Sequence, residues 1–113
     1  MKEQLDPSLT AHPDLMKSIR EARPILQEAL GHAARLATAK WRVGDDAGRQ
    51  IVILNLSDFT WPSGVETRLT PADLQDKQYL WRKFHGLLGD LLHAHLEQTV
   101  GELQAMFPEG SST

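Results

Sequence analysis

The run from Gln50 to Leu56, Gln-Ile-Val-Ile-Leu-Asn-Leu, limits what this chain can fold into more than any other stretch. Both of its alternating sets, Val52/Leu54/Leu56 and Ile51/Ile53, are apolar and mostly β-branched. Successive side chains of a strand point to opposite faces, so a run apolar on both sets is shielded on both sides. It is too short and too rich in Ile and Val to be a buried helix. It therefore reads as the central strand of a small sheet, and the rest of the chain has to cover it.

The neighbouring segments supply partners for that strand. Lys40-Trp41-Arg42-Val43 alternates polar and apolar as a half-buried strand does. Gly44 to Gly48 is turn chemistry, so Lys40 to Val43 and Gln50 to Leu56 form a hairpin. Ser57 to Gly64 is a loop that closes on Trp61-Pro62-Ser63-Gly64 in the manner of a type I turn. Val65, Thr67 and Leu69 then alternate with Glu66 and Arg68 as a third strand.

Helical patterns flank the strands. From Pro13, suited to the first helical position, one stripe runs Leu15, Ile19, Ala22, Leu26, Ala29, Ala33, Leu36 at alternating spacings of four and three. Pro24 interrupts it. The unbroken register favours one helix kinked at Pro24, with a second helix starting there as the alternative. Thr70-Pro71-Ala72-Asp73 is a helix start of the capping-box kind. A long helix follows from about Asp76 to Phe107, where Pro108 and Gly110 end it.

At 113 residues without cysteine, the chain builds one domain around a hydrophobic core and has no disulfide or thiolate-metal staple. The expected architecture is α+β, in the order α-β-β-β-α. A three-stranded antiparallel meander packs against a long N-terminal helix, kinked at Pro24, and a long C-terminal helix. Residues 1–12 are expected to be loose, residues 13–107 form the domain, and residues 108–113 are a polar tail. No apolar run reaches the roughly 20 residues of a membrane span, and no signal peptide is visible at the N-terminus. The expected location is the cytoplasm.

The last helix carries two stripes. Leu80, Phe84, Leu87, Leu88 and Leu91 make the first, with His95 next in line. Leu92, Leu96, Val100, Leu103 and Phe107 make the second, more than a quarter turn away. One stripe suffices to cover a sheet. The second docks either on the N-terminal helix of the same chain or on a second copy. The central strand poses the same problem, because its neighbours are each apolar on only one face. These surplus surfaces predict a homodimer. Phe59 and Trp61, in the loop between strands, add a candidate anchor for a protein partner that the sequence does not identify. Folding back as a lid on the core is the ordinary alternative for them.

The order helix, three strands, helix is shared with double-stranded-RNA-binding domains. Those carry a lysine cluster where this chain reads Thr70-Pro71-Ala72-Asp73, so that comparison fails. The long first helix, the hairpin from Gly44 to Gly48 and the apolar middle strand lead into Val65-Glu66-Thr67-Arg68-Leu69-Thr70-Pro71-Ala72-Asp73-Leu74-Gln75-Asp76. In this pattern of residue classes, over about Ala29 to Leu91, the chain resembles the YbaB family of small nucleoid-associated proteins. The resemblance implies a homodimer that binds DNA, whereas the net charge of −3 gives no general attraction to phosphate.

Catalytic signatures are missing: there is no nucleophile elbow, P-loop or dinucleotide fingerprint. His93 and Glu97 share a helix face at a spacing that can ligate zinc, and His85 lies about a quarter turn from His93. No third ligand is near in sequence, His32 being the distant candidate, so a solvated histidine face is the preferred reading and no cofactor is expected. Arg35, Lys40, Arg42, Arg49, Arg68, Arg82 and Lys83 are a scattered basic set. The sequence thus points to a non-enzymatic, homodimeric interaction or assembly module. A nucleoid-type DNA-binding dimer is the alternative, and a metal-binding protein or enzyme using the histidines of the last helix comes third.

Overall fold

The structure, a computed structural model, describes residues 1–58 and 64–106, with side chains described through 94 and at 96. Its elements are β1 (Lys2–Leu5), α1 (Pro13–Leu30), β2 (Thr38–Asp46), β3 (Arg49–Ser57), β4 (Val65–Leu69) and α2 (Lys77–Met106). Short 3₁₀ segments follow β1, follow α1 and precede α2. The fold is α+β, but the expected three-stranded antiparallel meander is only part of its sheet. Four strands lie in the order β1-β2-β3-β4, with β1 parallel to β2 and the remaining pairs antiparallel.

The correction lies in the N-terminal segment, expected to be loose. Lys2–Leu5 pairs with Thr38–Trp41, and its ends are tied by Lys2 N–H to the Ala37 carbonyl (3.1 Å) and Asp6 N–H to the Trp41 carbonyl (2.9 Å). The Glu3 carboxylate takes two bonds from the Arg23 guanidinium on α1, one of them 2.9 Å from Nε. Parallel neighbours need a long crossover, which α1 provides. Beyond β1, Asp6 accepts the Ser8 N–H at 2.8 Å and the turn that follows buries Leu9 completely. Hydrogen bonds from Ser8 hold the Asp6 carboxyl below its ordinary pKa.

Pro24 lies inside one continuous α1, in agreement with the single-helix reading. Its inward stripe is Leu15, Ile19, Ala22, Leu26 and Ala29, joined by Leu30. The helix ends earlier than the stripe suggested: Gly31 takes φ +56°, and Leu36 is left 60% exposed. The hairpin turn is also tighter than expected. Strands β2 and β3 run on to Asp46 and Arg49, and Ala47 (φ +53°) and Gly48 (φ +81°) alone make the turn. Two successive residues with positive φ suit the right-handed twist of a two-residue hairpin.

The sheet has one face under both helices. Ala39 and Trp41 on β2, Val52, Leu54 and Leu56 on β3, and Leu69 on β4 point there, in register across the ladder. They join the buried faces of α1 and α2 in one core. No helix among the described residues covers the other face, yet Ile51 on it is only 3% exposed and lies outside that core. Gly44 explains this. A Cβ there would stand 2.5 Å from Ile53 Cδ1 and 3.4 Å from Ile51 Cγ1, so both isoleucines lie against bare backbone. The second apolar set of the central strand is thus largely buried within its own sheet, and one of the two grounds for expecting a dimer falls away.

The start of α2 follows local chemistry. Thr70 and Asp73 make the reciprocal bonds of a capping box: Thr70 N–H to Asp73 Oδ2 at 2.9 Å, and Asp73 N–H to Thr70 Oγ1 at 3.1 Å. That box closes the short turn holding buried Leu74. Asp76 then accepts the Tyr79 N–H at 3.1 Å and opens α2 itself. No helix among the described residues is long and apolar enough to cross a membrane.

Candidate interaction surface on the last helix

Helix α2 has 30 residues, a length of about 45 Å at the usual rise. Its buried residues are Leu80, Phe84, Leu87 and Leu91, with Leu88 partly buried, which reproduces the first stripe. Among the described side chains, burial on this helix stops at Leu91. Leu92 and Leu96 are 57% and 59% exposed, so neither docks on α1.

These two leucines extend a face that starts earlier than the sequence pattern indicated. Trp81 is 38% exposed and meets His85 edge-on, with ring centroids 4.5 Å apart. Trp81, His85, Gly89, Leu92 and Leu96 are spaced four, four, three and four, which places them along one side of the helix. Gly89 has open space where a Cβ would stand. The result is a solvent-facing stripe with an aromatic pair at one end, a glycine in the middle and two leucines beyond. Trp81 did not stand out in the sequence because it directly follows Leu80, a core residue. Its spacing of four to His85 and eleven to Leu92 was the available signal.

Five candidates for the interaction surface, Phe59, Trp61, Val100, Leu103 and Phe107, lie outside the described residues or side chains. Among the metal candidates, the His85 ring is engaged with Trp81, His93 is exposed, and the side chain of Glu97 lies outside those described. No group of three or more His, Cys, Asp or Glu among the described residues is placed to hold a metal ion.

Two further surfaces are visible only in three dimensions. On the open face of the sheet, strand alternation and register bring together Lys2, Lys40, Arg42, Arg49 and Arg68 with Asp46 and Glu66. That face is basic although the whole chain is acidic. Arg42 Nη1 lies 3.0 Å from Glu66 Oε1, and this bond holds the Glu66 carboxyl below its ordinary pKa. Beside β4 runs a groove of about 210 Å³ whose walls include Glu66 and Thr67 from the strand and Arg82, Gly86 and Asp90 from α2. Comparison of the chain with protein-family models, with curated proteins and with solved structures finds no match.

Proposed function

We propose that this chain is a small non-enzymatic assembly module that associates with a second copy of itself through the exposed stripe of α2. The observation that carries the reading is the exposure of Trp81, Leu92 and Leu96 on one side of a helix that continues past its last buried residue, Leu91. A buried leucine contributes roughly 1.5–3 kcal/mol relative to an exposed one, so such a stripe gains by being covered. Scattered single leucines need no partner, whereas aligned ones rimmed by polar residues mark contact sites. A second copy presents the same stripe, and two-fold pairing covers both at once.

Sedimentation equilibrium on the intact protein and on Leu92→Glu/Leu96→Glu tests this. The wild type should self-associate. The variant should keep its circular dichroism and a cooperative melt, since neither side chain is buried in the single chain, and should lose mass together with any concentration dependence of the melting temperature. A wild type that stays monomeric at high micromolar concentration refutes the reading. A variant whose mass is unchanged removes the stripe from the interface.

A DNA-binding dimer is the second reading, and the observation in its favour is the basic open face of the sheet, with five cations against two carboxylates by strand register. A depression of about 410 Å³ there is lined by Lys40 and Arg42 but also by the carboxylates Asp6 and Glu66, so the surplus of positive charge lies around it, at Lys2, Arg49 and Arg68, and not within it. Phosphate contacts make affinity fall steeply with salt, so duplex binding measured across a salt series decides. No binding at low salt eliminates this reading and leaves the assembly module standing.

A further inference from the structure

We infer that the groove between β4 and α2 is a second contact for another copy of this chain, centred on a two-fold axis that passes beside Thr67 and Gly86. The inference does not rest on the Leu92 and Leu96 stripe, which lies on a different side of α2.

The first observation is the edge of the sheet. Among the described residues β4 pairs only with β3. An edge strand leaves the N–H and C=O of alternate residues open to pairing with another chain. The sequence of this strand is self-complementary about its middle residue. Antiparallel pairing of two copies about Thr67 sets Glu66 opposite Arg68 of the other copy, and Arg68 opposite its Glu66. On the helix-side face the same register sets Val65 opposite Leu69. Opposite charges directly across a ladder are favourable and like charges are not.

The second observation is independent and comes from the helix. Arg82, Gly86 and Asp90 are each four apart and form one row along α2. All three line the groove together with Thr67. The row is again self-complementary about its centre: antiparallel approach about Gly86 brings Arg82 level with Asp90 of the second helix, and Asp90 level with its Arg82. A Cβ at Gly86 would meet nothing within 4 Å in the single chain. This glycine leaves room that the chain itself does not fill, at the point where two helices would come closest.

The two patterns call for one symmetry operation. A two-fold axis normal to the sheet and beside β4 pairs the strands edge to edge and places both α2 helices on the same side, antiparallel. Because Thr67 and Gly86 line the same groove, the strand centre and the helix centre fall beside one axis. None of Arg68, Arg82 and Asp90 makes a salt bridge among the described residues, while Glu66 is bonded to Arg42 and Asn55 and also feels the charge of Arg68 in its own chain. The product is an eight-stranded continuous sheet. Combined with the stripe contact, it gives a closed tetramer where the two two-fold axes intersect and alternating open-ended rows where they do not.

The test uses the full chain carrying Leu92→Glu/Leu96→Glu, which silences the stripe so that any remaining association reports on the groove. That protein should still form a dimer at high micromolar concentration. Adding Gly86→Leu should weaken the dimer by about tenfold or more, while the melting temperature measured at dilution, where the chain is dissociated, stays level or rises because the single chain has room for the side chain. Glu66→Arg and Arg68→Glu, made separately in the same background, should each be monomeric, and an equimolar mixture of the two should recover a heterodimer. A stripe-silenced protein that is monomeric at high micromolar concentration overturns the groove contact and leaves the stripe reading intact. A dimer indifferent to Gly86→Leu overturns the placement of the axis. Charge variants that behave alike alone and mixed overturn the strand register.

Discussion

Replacing Leu54 by alanine puts the central-strand assignment to a quantitative test. Leu54 is fully buried on β3 and stands in register between Trp41 and Thr67, which are 1% and 8% exposed. Truncating a buried leucine costs about 2–5 kcal/mol, depending on how far the surroundings collapse into the space. Here the flanking residues are held by backbone ladders on both sides, which limits collapse and places the expected cost at about 3–5 kcal/mol. A domain of this size has roughly 5–15 kcal/mol of total stability, so the variant folds but is seriously weakened. With a urea slope of about 1.5 kcal/mol per molar, the unfolding midpoint should fall by roughly 2–3 M. Association would add its own stability, so the measurement belongs in the Leu92→Glu/Leu96→Glu background at fixed protein concentration. Ile53→Ala is the internal comparison, because Ile53 is only partly buried and lies on the open face; it should cost less than half as much. A Leu54→Ala loss below about 1 kcal/mol, or equal losses at the two sites, refutes the packing described above.

Ala47 adopts φ +53° in the hairpin turn, a conformation that costs an ordinary residue about 1–2 kcal/mol. Ala47→Asn should therefore raise the unfolding free energy by about 0.5–1 kcal/mol in a urea titration, and a decrease would count against the two-residue turn. Arg42→Ala should move the Glu66 pKa up towards its ordinary value of 4.5, read by NMR titration of the carboxyl carbon. Because the folded-state value is depressed, whatever stability the pair adds is present above about pH 4.5 and lost as pH falls through the lowered value. An unchanged Glu66 titration would show that the bond to Arg42 does not form in solution.

What the sequence revealed about the fold depended on how local the responsible physics is. The capping box of Thr70 and Asp73 is a contact three residues long, and the hairpin is announced by Gly44 to Gly48, so both were legible. The end of α1 was also written locally, in Gly31, but the apolar spacing that continues through Ala33 to Leu36 outweighed it. Periodicity records which residues would share a face if the helix continued, not whether it does. Strand β1 is the opposite case. Lys2-Glu3-Gln4-Leu5 has one apolar residue, and its order comes from backbone pairing to β2 and from Arg23, 20 residues away on α1. No pattern within the segment encodes either contribution. Gly44 was read as turn chemistry, whereas its main effect is to make room for Ile51 and Ile53.

The two surfaces on α2 differ in the same way, and the glycines show it. Leu92 and Leu96 were legible as a surplus stripe because periodicity needs only the helix itself. The groove was not, since it brings residues 66–67 against residues 82–90 and its complementarity appears only after a symmetry operation. Gly86 and Gly89 are two weak helix formers three residues apart. Each lowers the stability of the helix by about 1 kcal/mol relative to alanine, and neither is required by packing within the single chain, where a Cβ at either site has open space. They do not point the same way: Gly89 falls in the Trp81–Leu96 stripe and Gly86 in the groove beside β4. Two glycines that cost stability, on two faces of one helix, one in the middle of the exposed apolar stripe and one in the middle of a self-complementary charged row, are accounted for if both faces are approached by another backbone. A single interface would explain one of them and leave the other as an uncompensated cost.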